Sequence, residues 1–203
     1  MQRYAVTTIS LKVGAQPAAL KALERTAAGA TGEFLACWFS EIGPLNQIML
    51  IHGFNSDAEL QMERERRLVS GDAFGIAEHT TGTTTDTYVP FPEMKPIVPG
   101  EHGPVFEARI YTIKPDRLPQ ILETWAPKLP GRVAVSPNLA VMYATDGVTP
   151  RFMHVWPYSS LNDRAAIRAK TVAEGIWPPP HGPDNLAVMT STIYLPAPFS
   201  PVR

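Results

Sequence analysis

Runs of alternating or β-branched residues and runs with helical spacing follow one another along the chain, and the whole series occurs twice. Tyr4–Lys12 and Phe106–Lys114 read as first strands. Gln16–Ala28 and Pro115–Trp125 read as helices; in the second, Leu118, Ile121, Leu122 and Trp125 fall on one helical face. Phe34–Glu41 and Leu139–Thr145 read as second strands, closed by turns at Gly43-Pro44 and Asp146-Gly147. Ile48–Phe54 and Arg151–Tyr158 read as third strands. Ser56 with Glu59, and Ser160 with Asp163, have the spacing of a helix cap with an acid three residues on. They predict helices over Asp57–Val69 and Leu161–Ala173, followed by fourth strands over Thr83–Val89 and Leu186–Leu195.

The two series are related residue by residue. A shift of 104 pairs Leu35 with Leu139, Met49 with Met153 and Arg64 with Arg168; near the start the shift is 102, and near the end 106. Each copy reads β-α-β-β-α-β, the ferredoxin-like plan, which leaves one sheet face bare. The predicted fold class is therefore α+β: two tandem ferredoxin-like βαββαβ units that form an intrachain pseudo-dimeric α/β barrel. The predicted divisions are 1–92 for the first unit, 93–104 for a linker and 105–203 for the second.

Composition sharpens this picture. The chain has 203 residues, 44% hydrophobic and 18% charged, with a net charge of −1. Those values argue against a disordered chain and against a general nucleic-acid binder. The 21 prolines are about twice the usual share. Five lie between Pro90 and Pro104 and seven between Pro178 and Pro201, so each cluster trails one unit. Cys37 is the single cysteine, which excludes an intrachain disulfide and reads as a small buried hydrophobe. No apolar run approaches the ~18 residues of a membrane span. The expectation is a cytoplasmic protein with no membrane insertion. The halves differ in charge: residues 1–102 carry 8 basic and 12 acidic side chains, residues 103–203 carry 10 and 7. Opposite signs favour mutual docking, although charge of this size acts weakly.

Four stretches carry a family resemblance. Glu41-Ile42-Gly43-Pro44-Leu45-Asn46-Gln47, followed by a strand and an aromatic-Asn-Ser-Asp helix start, resembles the NIPSNAP family. So do Glu107–Pro115 and the run Met153–Leu161 with Arg164 and Arg168, and the closing stretch from Gly175 to Pro201 resembles tandem bacterial members. The resemblance implies a dimeric α/β-barrel fold. It also implies a wide choice of roles: animal members are mitochondrial and associated with vesicular-transport and mitophagy proteins, while the barrel superfamily includes cofactor-free monooxygenases, haem-handling enzymes and stress-responsive proteins. The first copy has Thr7 and Ile9 where the second has Arg109 and Tyr111, so the halves are not expected to function equally.

Strand alternation places Glu107, Arg109 and Tyr111 on one face of the fifth predicted strand, and His154, Trp156 and Tyr158 on one face of the seventh. The candidate catalytic residues are His154, Arg109 and Tyr111. Arg109 would fix a carboxylate or enolate, and His154 could move a proton near neutral pH. The candidate substrate-binding residues are Glu107, Trp156, Tyr158, Tyr143 and His52, the aromatic ones as flat walls with polar ends. If this face looks into the barrel, it lines a pocket for a small anionic or aromatic molecule, with the first half as lid and scaffold. That reading gives a cofactor-independent monooxygenase- or isomerase-like activity with no cofactor and no metal. Arg109 and His154 on the helix-packed face would end that reading; an enclosed pocket containing them would strengthen it. The plainer alternative is a structural Glu107–Arg109 pair and a satisfied core imidazole at His154.

Other features have bland readings. Glu41–Gln47 is a turn, with a place at a pocket rim as the alternative. Glu63–Arg67 is a solvated charge run. Trp177–Pro183 covers an edge or a pocket mouth, with His181 as a conceivable gate. The rival functional class is a non-catalytic protein-interaction or stress-response protein, which requires a sizeable exposed apolar patch. A homo-oligomer is expected because edge strands need covering.

Overall fold

A computed structural model describes residues 3–92 and 94–203. The first half runs β1 (Arg3–Leu11), α1 (Gln16–Thr26), β2 (Glu33–Ile42), β3 (Gln47–Phe54), α2 (Asp57–Ser70) and β4 (Thr80–Pro90). The second runs β5 (Val105–Ile113), α3 (Leu118–Trp125), α4 (Leu129–Val135), β6 (Ala140–Ala144), β7 (Arg151–Tyr158), α5 (Leu161–Ala173), α6 (Gly182–Asn185) and β8 (Leu186–Pro196). All eight predicted strands and the four predicted helices are present. The helices α4 and α6 were not predicted; each begins beside a proline that tolerates a first helical turn but masks the periodicity.

The predicted caps form in both copies. Ser56 Oγ accepts from Glu59 N (3.2 Å), and Ser160 Oγ from Asp163 N (3.0 Å). In each case the acid reaches back to the residue before the cap: Glu59 accepts from Asn55 N, and Asp163 from Ser159 N. Two orphan amides at each helix start are thereby satisfied.

Within each half the strand order is that of a ferredoxin-like unit. The units join through β2–β8 and β4–β6, so that β1-β3-β2-β8-β5-β7-β6-β4 closes into one antiparallel barrel. Closure removes free edges among the described strands. The expectation of a homo-oligomer rested on edges that needed covering; the chain's own second half covers them.

Alternation decides which face does what. Tyr4, Val6, Trp38, Met49, Phe106, Ala108, Met153 and Val155 point inward and pack into one core shared by both halves. Trp38 stacks on Phe106 across the halves, ring centroids 4.4 Å apart. The intervening positions point outward to the helices. The segment after β4 and the C-terminal tail close one end: Tyr4 Oη accepts from Ile97 N (3.0 Å), and Trp38 Nε1 donates to the Val202 carbonyl (2.9 Å). Cys37 is buried, and burial pushes its thiol up to about 12, as suits a packed hydrophobe. Glu41–Gln47 is the β2–β3 turn, with Asn46 in the left-handed region (φ 55°). No helix among the described residues is long and apolar enough to cross a membrane.

Candidate functional site

Glu107 is the anchor of the second half's sheet–helix layer. It projects from β5 and is fully buried. Its Oε1 accepts from Arg109 Nη1 (2.6 Å), Arg164 Nη2 (2.6 Å) and Ser191 Oγ (2.7 Å), while Arg168 Nη1 stands 3.8 Å from Oε2. Burial alone would raise this carboxyl. The bonds from Arg164 and Ser191 and the Arg109 charge outweigh burial and hold it down to about 2. Glu107 is thus a fixed anion and a poor base.

Arg109 turns its Nε to the Tyr111 hydroxyl (2.6 Å). On β7, Trp156 Nε1 donates to His154 Nδ1 (2.5 Å). An indole N–H can only donate, so Nδ1 carries the lone pair and the ring proton sits on Nε2. That Nε2 is buried with no hydrogen-bond partner. Burial, reinforced by the Arg109 charge, puts the His154 pKa well below its ordinary value. The sequence-based role of His154 as a proton carrier near neutral pH is corrected accordingly: it is a neutral imidazole presenting one unmatched donor. Arg132, from α4, lies 4.1 Å over the Trp156 ring and donates to Tyr158 Oη (3.3 Å).

These side chains share a pocket of about 260 Å³. Arg109, Tyr111, His154, Trp156 and Tyr158 line it from the sheet, and Arg132 and Arg168 from the helices. Trp177 and Pro178 line it too, so the proline-rich run does cover a pocket. Two expectations are corrected. The cluster faces the helices, not the barrel bore, because β5 and β7 turn Phe106, Ala108, Met153 and Val155 inward. The first half is no lid, since every lining residue belongs to the second half.

The other candidates fall elsewhere. Glu107 sits behind the pocket wall as the partner of the arginines. Tyr143 packs on Phe91, ring centroids 6.3 Å apart. His52 lies in the first half between Phe34 and Phe74, with a ring nitrogen 2.8 Å from the Ala27 carbonyl; burial lowers its pKa to about 4. His181 is exposed beside Asp184. Among the described residues no cluster of three or more His, Cys, Asp or Glu side chains is placed to hold a metal ion.

Sequence reasoning missed Arg132 as a site residue, because α4 itself was hidden. Arg168 enters the sequence reading only as the repeat partner of Arg64 and, with Arg164, within a family resemblance. Their i, i+4 spacing on a capped helix is the signal that puts both on one face. The run Glu63–Arg67 is not fully solvated either: Glu63 is buried and accepts from Arg66 Nη2 and Arg67 Nε, both at 2.7 Å.

Comparison with known proteins supplies the family. The NIPSNAP family model matches residues 4–80 and 106–201. The chain belongs to the NIPSNAP family. The two matched segments coincide with the two halves of the barrel. A curated NIPSNAP homologue from Dictyostelium discoideum is 26% identical over 145 residues, covering 70% of this chain and 65% of that protein. The chain thus matches slightly less than two thirds of that relative. The fold also resembles the crystal structure of a candidate monooxygenase from Fusobacterium nucleatum, with 11% identity, a TM-score of 0.69, and 96% and 92% of the two chains covered. It resembles that of an anthrone oxidase-like protein as well, with 13% identity, a TM-score of 0.65 and 96% and 91% coverage. At such identities these likenesses establish the fold of this NIPSNAP chain and nothing about its chemistry.

Proposed function

We propose that the second-half pocket binds a small aromatic or conjugated oxyanion, a carboxylate, phenolate or enolate. The observation that carries this reading is the charge imbalance. Among the described residues, Arg109, Arg132, Arg164 and Arg168 cluster around the single carboxylate Glu107, and the unmatched Nε2–H of His154 adds a neutral donor. Three arginine charges are left for a ligand to balance. Tyr111, Trp156, Tyr158 and Trp177 give the flat walls that suit a ring. Neither Glu107 nor His154 is tuned to take up a proton, so the site is better suited to holding an anion than to generating one. The cluster faces the helices and not the barrel bore, so the reading is one of binding, and a cofactor-independent oxygenation or isomerisation through a bound phenolate or enolate is left as a question for experiment. The structures named as oxygenases share the fold and are a reason to test oxygenation first.

Tryptophan fluorescence supplies the test, because Trp156 and Trp177 line the pocket. Salicylate is expected to quench it saturably and to bind at least ten times tighter than neutral benzamide. Arg168→Gln, which removes one outer cation, is expected to weaken salicylate about tenfold, or ~1.4 kcal/mol. Equal affinity for salicylate and benzamide would overturn the reading. Oxygen uptake with anthrone, which would yield the anthraquinone and water, then separates an oxygenase from a binding protein.

A further inference from the structure

The first half holds a second and larger cavity, about 530 Å³, at the place equivalent to the pocket just described. The repeat makes the correspondence: Ile9 stands for Tyr111, Arg67 for Thr171 and Ala73 for Trp177. The chain enters both walls through a left-handed glycine, Gly71 (φ 73°) and Gly175 (φ 66°). At the aligned position the second half carries the Trp177 indole and the first the Ala73 methyl, while the neighbouring Phe74 meets His52 (ring centroids 6.5 Å) as Trp177 meets Trp156 (6.0 Å).

The chemistry of the walls differs as well. Arg67 lines the cavity with its side chain only 9% exposed. Its Nε donates to Glu63 and its Nη1 to Thr7 Oγ1 (3.4 Å), while its Nη2 has no partner. Arg64, on the same wall, is held by Asp146 and by Thr87 Oγ1. Asp72 adds a negative charge at the rim. Arg67 shares the single charge of Glu63 with Arg66, Arg64 pairs with Asp146, and Asp72 lines the wall, so among the described residues three arginines face three carboxylates and an incoming carboxylate finds no excess of positive charge. What remains is an unmatched donor on Arg67, the hydroxyls of Thr83 and Thr85, and an apolar surface of Ile9, Phe74 and Ile76. The hydroxyl of Thr85 is 2.9 Å from that of Thr7, so the pair can donate to one ligand oxygen while staying bonded to each other.

We infer that this cavity is a second ligand site, for an uncharged amphiphile that offers a carbonyl or hydroxyl oxygen to Arg67 and the threonines and an aliphatic body to Ile9, Phe74 and Ile76. The barrel then carries two sites in equivalent places sorted by charge, an oxyanion in the second half and a neutral ligand in the first. The inference does not depend on what the second-half pocket binds.

Calorimetric titration with 1-octanol and with octanoate, equal in chain length and different in charge, tests it. Octanol is expected to bind saturably with one site per chain, and octanoate at least tenfold more weakly. Ala73→Trp copies the second-half filling and is expected to lower octanol affinity at least tenfold. Gly82→Leu is a second plug that does not depend on Ala73; a Cβ at Gly82 meets nothing within 4 Å. Arg168→Gln, which touches only the other pocket, is expected to leave octanol affinity within twofold. Octanoate binding as tightly as octanol and weakened tenfold by either plug, octanol affinity unmoved by both plugs, or an absence of saturable octanol binding would each overturn the inference.

Discussion

In the first half the buried carboxylate of the sheet–helix layer comes from a helix, Glu63 on α2; in the second it comes from a strand, Glu107 on β5. Both are held down to about 2 against the pull of burial by arginine hydrogen bonds. Their surroundings diverge from there. Glu63 accepts from both Arg66 and Arg67, and the Arg66 side chain is 44% exposed. Glu107 receives Arg109 and Arg164 and faces Arg168, with Arg132 nearby. Two copies of one fold thus conserve a buried acid while moving it to a different element. The move leaves one pocket matched in charge and the other with an excess of cations.

The largest expected effect tests that divergence. Glu107→Ala removes the only anion that the described residues place among several partly buried guanidiniums and is expected to cost about 3–5 kcal/mol. Glu63→Ala frees Arg66 to turn to water but strands the buried Arg67 guanidinium, and is expected to cost about 3 kcal/mol, the lower end of that range. Urea denaturation of the two variants measures the difference; equal or reversed losses would break the comparison. The same acids set the response to pH. Their folded pKa values, about 2, lie below the ordinary 4.5, so the stabilisation is complete above that value and is lost as pH falls from about 4.5 towards 2. Thermal melts across that window are expected to show a falling Tm, with a shallower fall for Glu107→Gln. A variant slope equal to wild type would mean that Glu107 is not ion-paired in the folded protein.

The fold was legible in the sequence because its signals are local and occur twice. Alternation, two capped helices and a constant shift define each unit, and a ferredoxin-like unit has one bare face that a second copy can cover. Alternation also grouped Arg109, Tyr111, His154, Trp156 and Tyr158 correctly. It could not say which way the group faces, since period 2 separates two faces without labelling them. The label lay in the partner positions: Phe106, Ala108, Met153 and Val155 are apolar without interruption, as a closed bore requires, while a sheet–helix layer near an open pocket can hold charge. His52 was misleading for a related reason. It is the repeat counterpart of Trp156, so it belongs to the equivalent layer of the other half. Arg132 was hidden by Pro130 and Gly131, which obscure a seven-residue helix whose other buried residue is Leu129.

The smallest expected effect is one where the halves should not differ. Ser56 and Ser160 cap α2 and α5 with the same geometry, accepting from the amide three residues on at 3.2 and 3.0 Å. In both, the acid behind that amide bonds back to the residue before the cap. Removing either hydroxyl strips one acceptor from a helix start and leaves the acid's bond in place, so Ser56→Ala and Ser160→Ala are each expected to cost about 1 kcal/mol. For a chain of this size that is a fall in Tm of about 2–4 °C. Equal shifts would show that the caps are conserved architecture and that the divergence of the halves is confined to the layer behind them. A clearly larger loss at Ser160 would instead mean that α5, which brings Arg164 and Arg168 to Glu107, is held partly by its cap against the repulsion of its own arginines.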